Sequence, residues 1–286
     1  MPMLDRTAPG HAQISAQPRR QRVDARAAAG FALRDGRTVL QRLRQQGSAK
    51  AMLPRVHRPE PELVFLNTAG GLTGGDRIGF DLDLAPGTHV VATTQTAERA
   101  YASLPETGPA AMTVRITAGA GARIDWLPQE TILFERAALH RRTEIDLAGD
   151  AACLWCESVV LGREAMGETL QTLDFRDTRV IRRDGVPVMA EPLRLTGATL
   201  ARREAASGLG GARALATIAL IAPDAPDLLG RVLPLCATAG VTASASGWDG
   251  RLVIRGLAAK PFALRRWMAA VLDELRGRPL PRVWTI

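Results

Sequence analysis

The chain has 286 residues, 46% of them hydrophobic, and a formal net charge of +8; this predicts one large domain with a real core and excludes a wholly disordered chain. No apolar run approaches the ~20 residues of a membrane-spanning helix, the N-terminus lacks the apolar segment of a secretory signal, and three cysteines make no disulfide framework, so the expectation is a cytoplasmic protein with no membrane contact. The basic balance invites a nucleic-acid partner, but a single tyrosine, 4% aromatics and arginines scattered along the chain argue against stacking platforms and a recognition patch.

Residues 1–28 read as a basic disordered tail of Pro, Gln, Ala and Arg without periodicity. The ordered domain is expected over 29–286. It opens with two short strands around an Asp35-Gly36 turn, a strong hairpin signal. From there to 205 the chain is a β body, a succession of strand-like runs broken by Gly, Pro and Asp. Ile78, Phe80, Leu82 and Leu84 alternate with polar neighbours, as do Met112, Val114 and Ile116. No helical periodicity interrupts this stretch, which argues against parallel β-α-β units. Residues 206–286 read as a β-α-β-β-α end. Its helices are expected over 224–239, capped by Asp224 and kinked by Pro234, and over 261–276, started by Pro261 and stopped by Gly277. The fold class is therefore mainly β with a small α+β C-terminal part carrying two helices.

Few motifs carry chemistry. Ala69-Gly70-Gly71-Leu72-Thr73-Gly74-Gly75-Asp76 lacks the Lys-Ser/Thr of a phosphate loop; its glycines point instead to unusual backbone angles, with Asp76 held by turn amides. Cys153 and Cys156 are three positions apart on a strand, so they face opposite ways and do not chelate one metal without a bulge. The four histidines, His11, His57, His89 and His140, share no ligand spacing, and no nucleophile-base-oxyanion set is present. Carboxylates inside apolar strands stand out: Glu130, Glu157, and Glu164 and Glu168 around a Gly-Arg-Glu-Ala-Met-Gly-Glu run. Each must be paired, hydrogen-bonded or wet. Arg163, Arg136 and Arg141 are the candidate partners; water-filled surroundings would instead let the carboxylates hold a divalent cation in transit.

Five blocks, in order, resemble the urease accessory protein family UreD, called UreH in some bacteria. They are Asn67–Asp76, containing Gly70, Gly71 and Gly75; Thr93–Tyr101, containing Thr94, Gln95 and Tyr101, with Arg99 where lysine is common; Leu127–Phe134, containing Pro128 and Gln129; Gly162–Glu168, containing Arg163; and Pro281–Trp284. Asn67-Thr68 departs from the His-Pro or Pro-Pro of many members, so no histidine role in that loop carries over.

The resemblance implies an elongated, superhelical or stacked β-sheet body. It also implies a non-enzymatic scaffold that binds apo-urease and a UreF/UreG-type complex and helps deliver nickel. No tightly bound cofactor is expected, with Ni2+ only in transit, and an internal water-filled tunnel is implied. Asp76, Glu157, Glu164 and Glu168 are the expected tunnel carboxylates, and the remaining block residues form a structural motif. The competing reading is a basic nucleic-acid-binding or other interaction scaffold without a metal role. Partner surfaces are not assigned, although Phe262, Trp267 and Met268 on the last helix suit either core packing or a partner groove.

Overall fold

A computed structural model describes residues 22–163, 166–205 and 207–284. In chain order the strands are β1 (Asp24–Arg34), β2 (Arg37–Gln46), β3 (Ala49–Met52), β4 (Glu62–Asn67), β5 (Arg77–Leu84) and β6 (His89–Thr94). Then come β7 (Glu98–Ala100), β8 (Ala110–Ala118), β9 (Arg123–Leu127), β10 (Thr131–Leu133), β11 (Ala138–Leu147) and β12 (Ala152–Leu161). The series ends with β13 (Asp174–Arg183), β14 (Val186–Thr196), β15 (Ala214–Ile221), β16 (Thr242–Trp248) and β17 (Arg251–Ala258). Three α-helices, α1 (Gly197–Ala201), α2 (Leu229–Val232) and α3 (Pro261–Arg276), complete the set. Among the described residues no helix is long and apolar enough to cross a membrane.

The strands form two sheets. The seven-stranded one has the order β14-β13-β11-β8-β5-β1-β2; the ten-stranded one runs β16-β17-β15-β12-β9-β6-β4-β3, with β7 and β10 attached beside β12. From β5 to β13 the path alternates between sheets, so β5, β8, β11 and β13 are parallel neighbours in one and β6, β9 and β12 in the other. The helix-free sequence thus builds parallel sheets after all: each crossover is a strand of the opposite sheet, which takes the place of the usual helix. The mainly-β expectation holds, with the chain coiling through stacked sheets.

The two sheets bury different patterns because they have different numbers of covered faces. In β8, Ala110, Met112, Val114, Ile116 and Ala118 point inward while Arg115 and Thr117 meet solvent. Phe65 of β4 and Phe80 of β5 bridge the sheets with ring centroids 4.8 Å apart. The ten-stranded sheet is covered on both sides, so β12 is buried along nearly its whole length. Cys153, Trp155 and Val159 join the inter-sheet core, whereas Leu154, Cys156 and Val160 join a second core under α3. The two cysteines do face opposite ways, and burial pushes both thiols up.

On α3, Leu264, Trp267, Met268, Val271 and Leu272 form the buried stripe. A Cβ on Gly256 would lie 2.4 Å from the Trp267 ring, so the glycine sets how closely helix and sheet approach. Gly277, with φ 61°, ends the helix. Trp267 and Met268 are core residues, and Phe262 is 70% exposed.

Two boundaries differ from the sequence reading. The first strand starts at Asp24, within the residues read as tail, because Ala25, Ala27 and Ala29 alternate inward and pack while looking like low-complexity sequence. The expected helix over 224–239 is a chain of short turns, 3-10 at Ala225–Leu228, α2, then 3-10 at Leu233–Ala237, as Pro226 and Pro234 interrupt it. Asp224 sits at its start without a capping side-chain hydrogen bond.

Candidate functional site: a charged interior between the sheets

Alternation along β11 and β13 sends Arg141, Thr143, Asp177 and Arg179 inward, and Glu157 of β12 faces them from the other sheet. Arg141 pairs in register with Asp177, and Thr143 with Arg179. All four ionisable groups are at most 5% exposed. The Arg141 Nε donates to Asp177 Oδ1 at 3.0 Å and its Nη2 to Oδ2, a two-pronged contact, while Nη1 donates to Thr131 Oγ1 at 2.9 Å. The Arg179 Nε donates to Asp177 Oδ2 at 2.8 Å. Glu157 Oε1 accepts from Thr143 Oγ1 at 2.7 Å. Its Oε2 lies 2.5 Å from Arg141 Nη2 and 3.3 Å from Arg179 Nε, with neither N–H aligned for a hydrogen bond.

Charge balance explains why burial is tolerated: two guanidinium groups face two carboxylates. Burial alone would raise the Asp177 carboxyl, but Arg141 and Arg179 outweigh it and hold it low. For Glu157, burial wins over the attraction of Arg141, and its carboxyl is pushed up. Burial works against the charge of Arg141, yet Asp177 and Glu157 raise its affinity for the proton.

Polar groups continue from this cluster in both directions. On one side a cavity of about 100 Å³ reaches Arg141 and Glu157 and is lined further out by Thr131, Gln129, Thr94, Gln95, Glu98 and Asn67. That is room for a few waters. At its outer end Asn67 Nδ2 lies 3.2 Å from both Glu98 oxygens, and burial raises the Glu98 carboxyl to about 6. Gln129 Nε2 is buried without a hydrogen-bond partner. On the other side Arg179 Nη1 donates to Thr217 Oγ1 at 3.4 Å and lies 3.9 Å from Glu191 Oε2. Glu191 Oε1 in turn accepts from Arg255 Nε at 2.9 Å, and that arginine is 58% exposed. A file of polar side chains therefore crosses the sandwich from Asn67 and Glu98 to Arg255.

The glycine-rich loop frames the cavity mouth. Gly70 lines it, and Gly71, with φ 152°, has no room for a side chain: a Cβ would sit 2.4 Å from the Tyr101 ring and 2.7 Å from Arg99 O. Tyr101 packs on Phe134 at 5.1 Å, and the Arg163 guanidinium covers Phe134 at 4.7 Å. Among the described residues no group of three or more His, Cys, Asp and Glu side chains is arranged to hold a metal ion.

The sequence profile described as UreD urease accessory protein matches residues 23–285. The chain belongs to the UreD family. It is 54% identical over 275 residues to a urease accessory protein UreD of Cereibacter sphaeroides (strain ATCC 17025), covering 96% of this chain and 94% of that protein. A UreD of Dinoroseobacter shibae is 53% identical over 256 residues, 88% of each chain. A UreD of Paracoccus denitrificans is 46% identical over 285 residues, 100% of this chain and 97% of that one. UreD similarity thus spans both sheets and the C-terminal helix.

The sequence blocks that suggested UreD come together only in part. Glu157, Thr94, Gln95, Pro128, Gln129 and Gly70 line the one cavity. Asp76 does not line it: its carboxylate accepts from Val23 N at 2.9 Å and Thr73 N at 2.8 Å, tying the glycine-rich loop to the start of β1. Gly75, with φ 83°, turns the backbone next to it. Glu168 accepts from Glu135 N at 3.0 Å and from Arg163 N at 2.9 Å, which with Arg163 Nε outweigh burial and keep it acidic. Gly162, with φ 74° and Leu170 Cδ1 2.5 Å from a would-be Cβ, lets that loop close. Glu164 lies outside the described residues.

Of the expected ion-pair partners, Arg141 meets Glu157 and Arg163 meets Glu168, while Glu130 pairs with Arg265 at 3.0 Å. Glu98, Asp177, Arg179 and Glu191 were not singled out from the sequence. Asp177 and Arg179 sit in Asp174–Arg183, where inward charges at alternate positions between Phe175 and Ile181 were the available signal.

Proposed function

We propose that this UreD-family chain serves urease maturation as a non-enzymatic factor. In this reading it is a scaffold in the cytoplasm that docks apo-urease and a UreF/UreG-type complex. Nickel is its cargo and not a resident cofactor, and it passes through the polar interior. The observation that carries the reading is the polar file between the sheets: burying four ionisable groups in a sandwich core is costly, and here the cluster opens through a cavity to the Asn67–Glu98 mouth. The carboxylates along it supply the oxygen donors that a divalent cation takes.

Surface charge supports a protein partner over nucleic acid. On the outer face of the seven-stranded sheet, arginines are matched by acids, Arg26 with Asp81, Arg42 with Asp83 and Arg142 with Glu144. That matching leaves no unbroken basic stripe for phosphates there.

The test replaces Glu157 by alanine, with Asp76, Glu164 and Glu168 replaced in parallel, in cells that depend on this chain for urease. Expected is a fall in urease nickel content and activity, largest for Glu157, which lies on the file. Unchanged activation at normal expression of the Glu157 variant overturns the passage.

A further inference from the structure

Between Arg37 and Pro59 the sequence holds six basic residues, Arg37, Arg42, Arg44, Lys50, Arg55 and Arg58, and no Asp or Glu. That stretch is β2, β3 and the loop after them, where both sheets end: β2 closes the seven-stranded sheet and β3 the ten-stranded one. Among the described residues β2 pairs with β1 alone, so alternate N–H and C=O groups along its ten residues face away from the sheet with no strand to meet them. From Leu40 to Gln46 every residue is exposed.

A bulge sorts the side chains of this edge. Leu40 pairs with Phe31 and Leu43 with Ala29, both core residues, so the two leucines lie on the inward side. Three positions apart on a regular strand they would face opposite ways; the extra residue, Gln41, brings them to one side. Arg42 and Arg44, opposite Gly30 and Ala28, take the outward side, and Arg37, opposite Arg34, joins them. The inward side is left bare because β3 has four residues to set against the ten of β2. Thr38 Oγ1 accepts from His89 N at 2.9 Å and Gln45 Oε1 from Ala51 N at 2.9 Å, tying the sheets at either end. Between those ties Leu40 and Leu43 stay 37% and 40% exposed. Arg42 meets Asp83. Among the described residues no acid answers Arg37, Arg44, Lys50 or Arg55.

We propose that β2 is a docking edge for an extended segment of a partner protein in which acidic and apolar residues alternate. The segment adds as a further strand, its acids beside Arg37, Arg42 and Arg44 on one face and its apolar side chains beside Leu40 and Leu43 on the other. The same charges decide against other occupants. A second copy of β2 would set arginines against arginines, and residues 1–21 of this chain carry three arginines against Asp5. A nucleic-acid strand would use the arginines but neither the leucines nor the open ladder. The proposal rests on the scaffold reading only for who the partner is.

The experiment uses the full chain and, as probe, a short fluorescent peptide of alternating Glu and Val, followed by anisotropy and by hydrogen exchange. The peptide is expected to bind and to slow exchange of amides within 37–46. Arg37→Glu with Arg44→Glu, and separately Leu40→Thr with Leu43→Thr, are expected to weaken binding about tenfold or more at an unchanged melting temperature. N-methylation of alternate peptide residues is expected to abolish binding in one phase and spare it in the other, because one edge of the added strand carries the ladder. The methylated peptides are tested on the wild-type chain, so a variant that misfolds does not rescue the proposal. No binding, binding that tolerates both phases, protection outside β2, displacement of the peptide by oligothymidylate, or a dimer paired through β2 overturns it. Urease maturation in cells separates edge from scaffold. Capture lost in the Arg37→Glu, Arg44→Glu variant with maturation unchanged upholds the edge and removes it from the scaffold's work. No capture by the wild-type chain, with maturation lost in that variant, sinks the edge and leaves the scaffold standing.

Discussion

The ten-stranded sheet carries a buried ion cluster on each face, and they are built differently. Outside, Asp125 of β9 meets Arg276 of α3 at 2.9 Å, with Arg123 at 3.2 Å on its other oxygen. Arg276 also donates to the carbonyls of Arg278 and Pro279, and Arg278 meets Glu60 at 2.8 Å. The Asp125–Arg276 contact fastens α3 to the sheet, a task shared by Trp284 Nε1 donating to Leu127 O at 3.0 Å. Inside, Arg141, Asp177 and Arg179 sit on β11 and β13, strands that are already hydrogen-bonded neighbours, and only Glu157 reaches them from the other sheet. They adjoin a cavity, and one carboxylate oxygen is left unaligned. A buried ion pair that anchors is replaceable by apolar packing; one that serves chemistry is not.

This contrast is open to experiment. The largest effect is expected from Asp177→Ala, which strips Arg141 and Arg179 of their shared carboxylate. It should cost about 3–5 kcal/mol in urea unfolding, and a loss below about 1 kcal/mol would mean that the cluster is wetter than its burial implies. Next, Arg276→Leu alone should cost about 3 kcal/mol by leaving Asp125 short of its partner, and should expose amides near the chain end to hydrogen exchange.

The cavity mouth gives a pH signature. Glu98 titrates near 6 when folded, above the ordinary 4.5, so its contribution favours folding below 4.5 and is lost as pH rises through 6. The stability of Glu98→Gln relative to wild type should therefore grow by about 2 kcal/mol between pH 4 and pH 7. A flat difference would place the Glu98 carboxylate in water. The smallest effect is expected from the double change Asp125→Leu, Arg276→Leu: stability within about 1 kcal/mol of wild type, with urease maturation retained. Loss of maturation in that folded variant would erase the distinction between the two clusters.

What the sequence disclosed follows from the range of each signal. Period-two patterns in β5 and β8, the Asp35-Gly36 hairpin and the α3 stripe are local, and each is where it was expected. Glu157 is conspicuous as a charge within the apolar run of β12, and Arg141 is one of the three arginines that the sequence offers the strand carboxylates as partners. Asp177 and Arg179 went unnoticed because their meaning depends on β13 lying beside β11 with Arg141 opposite Asp177, a register that no local pattern encodes. The β1 start was obscured for another reason: alanine at alternate positions is enough to pack a strand but resembles tail. Asp76 shows the converse, a carboxylate whose Gly-rich setting signals a turn, and whose amide partners are two residues of that corner, Val23 and Thr73.

The alternating path between the sheets has a consequence for synthesis. As the chain emerges, each new pair of strands extends both sheets by one member, so the sandwich grows from the β1 end without waiting for distant partners. The interior charges arrive in the same order. Arg141 comes first and Glu157 next, while Asp177, 36 positions after Arg141, enters only with β13. A ribosome-bound chain lacking β13 holds an arginine and a glutamate but neither Asp177 nor Arg179. For that interval Arg141 balances Glu157, and β13 then brings Asp177 and Arg179 as a second balanced pair, so these four groups carry no net charge either before or after the strand arrives.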